Sequence, residues 1–123
     1  MSYRKILAGV DGSPTSLKAA QRAVELAKEV GAKVTLISVG EHGRKYVSDA
    51  SDRFEGSGVH IDTIVDTGDP ADVILETAQD GDYDLIVVGN KGMSGVNRFL
   101  LGSVPSKISH HSPCDVLIVH TTG

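Results

Sequence analysis

The stretch Asp84-Leu85-Ile86-Val87-Val88-Gly89 decides the fold. Its central residues are apolar without any alternation, which is typical of a strand covered on both faces. The stretch Lys5-Ile6-Leu7-Ala8-Gly9-Val10 has the same character. Strands of this kind occur in parallel sheets that carry helices on both sides. We therefore predict that these two strands lie at the centre of a parallel α/β sheet.

Five apolar runs in total are separated by segments with helical periodicity, which favours a βαβα order along the chain. The runs are Ile6–Val10, Val34–Val39, Val59–Val65, Leu85–Val88 and Val116–Val119. The third run alternates more than the others, so we predict that it forms an edge strand. The prediction is a five-stranded, open, parallel, Rossmann-like sheet with helices on both faces and strand order 3-2-1-4-5. At 123 residues, one domain spanning the chain is expected.

Capping residues predict where the helices begin and end. Ser13-Pro14 starts the first helix and Gly31 ends it. Asp69-Pro70 starts another, which Gly81 ends, and Gly102-Ser103 starts the last. The segment Gly40–Gly58 has the weakest pattern, and only a short helix of about two turns around Lys45–Ala50 is predicted in it.

Composition narrows the classes of function. The formal net charge is −4, so the chain lacks the basic surface of a nucleic-acid binder. Cys114 is the one cysteine, which fits a reducing compartment. The N-terminal residues run directly into a strand pattern without the apolar stretch of a signal peptide, and no run reaches the length of a membrane span. We therefore expect a cytoplasmic protein.

Two segments that follow the central strands should form a ligand crevice, because ligands of open parallel sheets bind at the carboxyl ends of the strands where the order reverses. One segment is Gly9-Val10-Asp11-Gly12-Ser13. The other contains the pattern Gly89-x2-Gly92-x9-Gly102-Ser103. Glycines allow backbone N–H groups to approach an anion closely, and the N-terminus of a helix also favours phosphate. Two anion-binding devices would meet at one point, as a polyphosphate requires.

This glycine spacing, with Asp11 after the first strand and Pro113-Cys114-Asp115-Val116-Leu117-Ile118-Val119 at the end, resembles the ATP-binding branch of the universal stress protein family. The resemblance covers essentially the whole chain. It implies an adenine nucleotide α-hydrolase-like fold and a regulatory role in the stress response. It also implies a bound ATP, ADP or AMP with Mg²⁺ or Mn²⁺, and a homodimer joined through the last strand, Val116–Val119.

The resemblance further implies roles for individual residues. Asp11 and the backbone of Val39 would lie at the adenine end, and Val10 and Val88 would line that pocket. Gly89, Gly92, Gly102, Ser103 and Val104 would serve the ribose and phosphates. Lys91 and Arg98 are candidates for neutralising phosphate charge, although each could equally be a solvated loop charge. The segment Gly40–Gly58 is shorter than the usual connection, which would make one wall of the adenine pocket thinner.

Other classes of function fit less well. A slow ATPase or phosphotransfer enzyme would need a general base, and the sequence contains no G-x-x-x-x-G-K-[ST] loop. We expect no catalytic residues, and at most slow ATP hydrolysis or self-phosphorylation. A phospho-receiver module could use Asp11 and Asp66 near the ends of strands one and three, but it has no use for a glycine-rich span after strand four. His110, His111 and Cys114 are too few for a tetrahedral metal site, so no metal ligands are expected.

Overall fold

The computed structural model describes residues 3–90 and 102–120. Strands and helices alternate along the described chain, as the sequence predicts. In order they are β1 (Lys5–Gly9), α1 (Pro14–Val30), β2 (Lys33–Val39), α2 (Gly43–Arg53), β3 (Ile61–Asp66), α3 (Pro70–Asp80), β4 (Leu85–Gly89), α4 (Ser103–His111) and β5 (Asp115–Val119).

The strands form one parallel sheet with the order β3-β2-β1-β4-β5, which confirms the predicted order. Strand β1 lies between β2 and β4, with Ile6 opposite both Val34 and Leu85. All five residues of β4 are buried, as expected of a central strand. Strand β3 lies at the edge and four of its six residues are exposed, so the predicted edge strand is also confirmed.

The helix caps follow the sequence closely. The Ser13 side chain accepts a hydrogen bond from the Ser16 N–H at the start of α1, and Gly31 ends this helix with φ of 77°. A positive φ is accessible to glycine at little cost, which explains the choice of residue. Asp69 caps α3 in the same way by accepting from the Asp72 N–H. No helix among the described residues is both long and apolar enough to span a bilayer.

The two faces of the sheet carry separate aliphatic clusters. Helices α1 and α2 cover one face, where residues such as Ala23 and Val47 pack on Ile6 and Leu36. Helices α3 and α4 cover the other face, with Ile74 and Ile108 packed among side chains of the central strands. The crevice between β1 and β4 opens where these two layers meet.

Helix α2 is longer than predicted. It spans 11 residues, whereas the sequence predicts a helix of about two turns. Gly43 explains how it begins so close to the sheet. A Cβ at Gly43 would lie 2.8 Å from Val65 Cγ1 and 3.2 Å from the Ser38 carbonyl oxygen. The missing side chain therefore lets the first turn of α2 sit directly on β2 and β3, a contact that helical periodicity does not reveal.

Candidate functional site

A crevice lies at the carboxyl ends of β1 and β4, where the sequence predicts the ligand site. It holds about 350 Å³ of space including its open mouth. Its described lining consists of Gly9, Val10, Asp11, Thr15, Ser16, Ile74, Val88, Gly89, Val104 and Pro105. The lining is mostly apolar with a few polar groups at its edge, which is the usual composition of a small-molecule site.

Asp11 is held in place by the first turn of α1. Its Oδ1 accepts hydrogen bonds from the Ser13 N–H, at 2.9 Å, and from the Ser13 hydroxyl. The Ser13 Oγ in turn accepts from the Ser16 N–H, and the Asp11 N–H donates to Ser16 Oγ, both at 3.1 Å. Asp11 therefore does fix its own loop, while its half-exposed side chain lies in the crevice lining.

The end of β4 and the start of α4 meet directly. The Asn90 N–H donates to the Val119 carbonyl oxygen at 3.0 Å, and the Gly102 N–H donates to the Asn90 carbonyl oxygen at 2.9 Å. The two ends of the predicted glycine pattern, Gly89 and Gly102-Ser103, are therefore neighbours. A Cβ at Gly89 would lie 3.2 Å from the Thr15 carbonyl oxygen, so this glycine also lets α1 approach β4.

Gly102 is the N-cap of helix α4, at the predicted position, and no side chain among the described residues caps this helix. The first N–H groups of a helix have no intrahelical acceptor, and the helix dipole places partial positive charge there. None of the residues in 3–90 and 102–120 accepts a hydrogen bond from the N–H groups of Ser103 and Val104, whereas Pro105 has no N–H group. Gly102 has φ of −63°, so this glycine supplies no positive φ. Its backbone conformation is open to any residue.

The predicted site residues fall into three groups. The crevice is lined by Val10, Asp11, Val88, Gly89 and Val104, and Gly102 and Ser103 start the helix that carries Val104. Val39 ends β2 opposite Asp66 and is not part of the described lining. Lys91, Gly92 and Arg98 lie outside the described residues.

Outside the predicted segments and the first turn of the last helix, the lining includes three residues that were not singled out from the sequence: Thr15, Ser16 and Ile74. A signal existed for the first two, because the opening turn of a helix that follows a central strand necessarily borders the crevice. Ile74 carried no such signal, since it has the same apolar spacing as the other core positions of α3. Which core residue of a helix reaches the rim depends on how the helix crosses the sheet.

Among the described residues, two other kinds of site are not assembled: a phospho-receiver site and a metal site. Strand β2 separates β1 from β3, so Asp11 and Asp66 do not end neighbouring strands, as they would in a receiver of order 2-1-3-4-5. Residues 3–90 and 102–120 contain no group of three or more metal-ligating side chains. Burial raises the pKa of the Cys114 thiol, which lies half-buried just before β5.

The fold and the crevice together define a doubly wound α/β protein with a candidate ligand site at the point where the strand order reverses. The sequence model of the universal stress protein family matches residues 2–56 and 44–120. The chain belongs to the universal stress protein family.

Similar proteins cover nearly the whole chain. The universal stress protein YxiE of Bacillus subtilis is 36% identical over 95% of this chain and 99% of its own. A universal stress protein solved in complex with cAMP is 36% identical, with a TM-score of 0.86 over 99% of this chain and 100% of that one. The crystal structure of Rv1636 from Mycobacterium tuberculosis is 35% identical, with a TM-score of 0.70 over 99% and 98% of the two chains.

The comparisons also show that this chain is shorter than a relative. The alignment with YxiE spans 146 positions, whereas the chain has 123 residues. The family model matches two stretches that overlap over residues 44–56. That the shortening falls in Gly40–Gly58, which contains α2, stays a prediction.

Proposed function

We propose that this universal stress protein binds an adenine nucleotide in the crevice between β1 and β4 and acts as a regulatory protein in the stress response. The phosphates would lie at the N-terminus of α4, on the backbone N–H groups of Ser103 and Val104. The base would lie towards Asp11, between the apolar side chains of Val10 and Val88.

The observation that carries this proposal is the start of α4. It lacks a side-chain cap among the described residues and is hydrogen-bonded to Asn90 at the end of β4, next to Gly89 in the crevice lining. A cyclic nucleotide bound to a relative at 36% identity supports the same class of ligand. The residues present thus fit an anionic nucleotide, and any Mg²⁺ or Mn²⁺ would be carried by its phosphates.

Native mass spectrometry of protein purified without added nucleotide tests the ligand class directly. We expect a mass increment corresponding to AMP, ADP, ATP or cAMP. Thermal shifts with each nucleotide, with and without Mg²⁺ or Mn²⁺, would then rank them. A ligand at 100 times its Kd stabilises the folded state by about 2.7 kcal/mol. GMP and inorganic phosphate serve as controls, and no shift with any adenine nucleotide at millimolar concentration would refute the proposal.

The role is proposed to be binding rather than turnover. Asp11 is the one carboxylate in the described lining of the crevice, and its Oδ1 already accepts two hydrogen bonds. Enzymes typically turn over at about 1–10³ s⁻¹. We expect ATP hydrolysis far below this range. Steady hydrolysis within it by pure protein, lost in Asp11→Asn, would identify an ATPase instead.

A homodimer through β5 is proposed as the assembly, in the reducing environment of the cytoplasm. Strand β5 pairs with β4 on one side, and its other edge is the outer edge of the described sheet. Val116, Leu117 and Ile118 on this strand are only half-buried. Proteins commonly cover such an edge, and a two-fold axis would pair it with its own copy. Light scattering that finds a monomer at high micromolar concentration would contradict this assembly.

A further inference from the structure

Gly12 and Tyr46 form an unusually close contact between the β1–α1 loop and α2. Gly12 has φ of 84°, and a Cβ built on it would lie 2.5 Å from Tyr46 Cε1 and 2.8 Å from Cδ1 and Cζ. The ring of Tyr46 therefore lies directly against the backbone of Gly12. Gly12 thus does more than form the turn that the sequence indicates, because any side chain would displace this ring.

The contact reaches the crevice through the backbone of the β1–α1 loop, whose residues on either side of Gly12 are joined by hydrogen bonds. Gly12 lies between Asp11, which lines the crevice, and Ser13, whose N–H and hydroxyl both bond the Asp11 carboxylate. Ser13 also caps α1 through the Ser16 N–H. A side chain that fixes Gly12 therefore restricts the position of the Asp11 carboxylate.

Tyr46 is well supported for this task. It is partly buried against the core cluster, next to buried Val47 and one turn before buried Ala50. Its hydroxyl makes no hydrogen bond within the described parts of the chain, so the ring itself forms the contact. Helix α2 belongs to the segment that is predicted to be shorter than usual, and the Tyr46 ring is the α2 side chain that lies against Gly12.

We propose that Tyr46 is a positioning residue, which holds the Gly12 backbone so that Asp11 is preorganised at the base end of the nucleotide site. This inference rests on the proposed function for its ligand. It assigns to helix α2 a specific part in nucleotide recognition. Tyr46 takes this part although it does not itself line the crevice. The phosphate end, at α4, lies outside the reach of this contact.

The test compares Tyr46→Ala, Tyr46→Phe and the matched control Phe54→Ala, an aromatic truncation at the other end of α2. Calorimetric titration with AMP and with inorganic triphosphate separates the base end from the phosphate end. Tyr46→Ala should weaken AMP binding about tenfold through lost preorganisation and leave triphosphate binding unchanged. Tyr46→Phe and Phe54→Ala should both bind AMP within about twofold of the parent protein.

Amide hydrogen exchange on the ligand-free protein provides a second measurement that does not depend on the nucleotide. Tyr46→Ala should speed exchange of the Ser13 and Ser16 amides about tenfold, because local opening becomes easier. If Tyr46→Ala does not fold, Tyr46→Leu should show both effects at smaller size.

Three results would overturn the inference. One is AMP binding by folded Tyr46→Ala or Tyr46→Leu at the parent's affinity, and another is an equal loss of AMP and triphosphate binding. The third is a loss of AMP binding in Phe54→Ala as large as in Tyr46→Ala. If the parent binds no adenine nucleotide, the proposed function fails. Unchanged Ser13 and Ser16 exchange would then separately refute the positioning contact.

Discussion

Two helices, α1 and α4, begin at the same crevice but start in different ways. At α1, the Ser13 hydroxyl oxygen accepts a hydrogen bond from the Ser16 N–H, and the Asp11 carboxylate accepts one from the Ser13 N–H. At α4, Gly102 provides no side chain, and none of the described residues caps the helix. Helix N-termini attract anions in general, but among the described residues two N–H groups lack an acceptor at α4, those of Ser103 and Val104, and only that of Thr15 lacks one at α1. On the proposed function, α4 would bind phosphate, whereas the start of α1 is held mainly by its own side chains, which also fix Asp11.

Blocking the uncapped N-terminus of α4 should have the largest effect, which is a loss of nucleotide affinity. Gly102→Val places a branched side chain in front of the Ser103 and Val104 N–H groups. The φ of −63° at Gly102 suits valine, so the fold should survive. The helix-end contact alone is worth about 0.3–2 kcal/mol, and steric exclusion adds to it. We expect nucleotide affinity to fall by more than about tenfold, or 1.4 kcal/mol, in calorimetric titration with AMP and ATP.

Ser109→Val, at an exposed position on the same helix, is the matched control and should bind both nucleotides normally. Gly68→Val is unsuitable as a control, because Gly68 has φ of 125° and valine there would be strained. Circular dichroism establishes folding of each variant. Parental affinity in folded Gly102→Val would place the phosphates elsewhere.

Removing the side-chain cap of α1 should lower the stability of the fold rather than weaken phosphate binding. Ser13→Ala removes the cap of α1 and the partner of Asp11, which should lower the free energy of unfolding by about 1 kcal/mol. Urea denaturation measures this loss, with Ser109→Ala as the control. Inorganic triphosphate should bind Ser13→Ala as it binds the parent. Unchanged stability together with lost triphosphate binding would make α1 the anion site.

The smallest expected effect concerns the ion pairs that join α4 to α3. The Lys107 Nζ lies 2.7 Å from Asp72 Oδ1 and 3.6 Å from Asp69 Oδ2. The hydrogen bond from the Asp72 N–H, followed by Lys107, holds the pKa of Asp69 below its ordinary 3.8. Asp69 therefore stabilises the fold above that pH, and this stabilisation is lost as the pH falls through the lowered pKa.

Lys107→Met should lower the melting temperature near pH 7 by about 1–2 °C or less, because exposed ion pairs contribute little. The difference from the parent should shrink below pH 3.8, as Asp69 becomes protonated. Lys18→Met, on exposed α1 surface, is the control. A difference that grows on acidification would have the wrong sign for this ion pair.

The sequence was sufficient for the sheet because buried parallel strands are continuous apolar runs and helix ends carry specific residues. The β4 run, Ser13-Pro14 and Gly31 each depend on local chemistry, and each was predicted correctly. The length of α2 was underestimated, since Gly43 acts through contact with Ser38 and Val65, which are distant in the local pattern.

The site was predicted in part for the same reason. Asp11, Gly89 and Gly102 follow strands or begin a helix, so their neighbourhood could be inferred from topology. The role of Gly12 depends on Tyr46, 34 positions later in the chain, and that of Ile74 on how α3 crosses the sheet. Such contacts between elements are set by tertiary packing, and neither periodicity nor capping encodes them.

The central claim is that phosphate binds at the uncapped N-terminus of α4 and not at the capped N-terminus of α1. Titration of ¹⁵N-labelled protein with AMP, followed by amide chemical shifts, tests it most directly. We expect the largest shifts at Ser103 and Val104, with Ser16 and Leu17 in the first turn of α1 moving much less. Dominant shifts at Ser16 and Leu17, with Ser103 and Val104 unmoved at saturation, would contradict the claim.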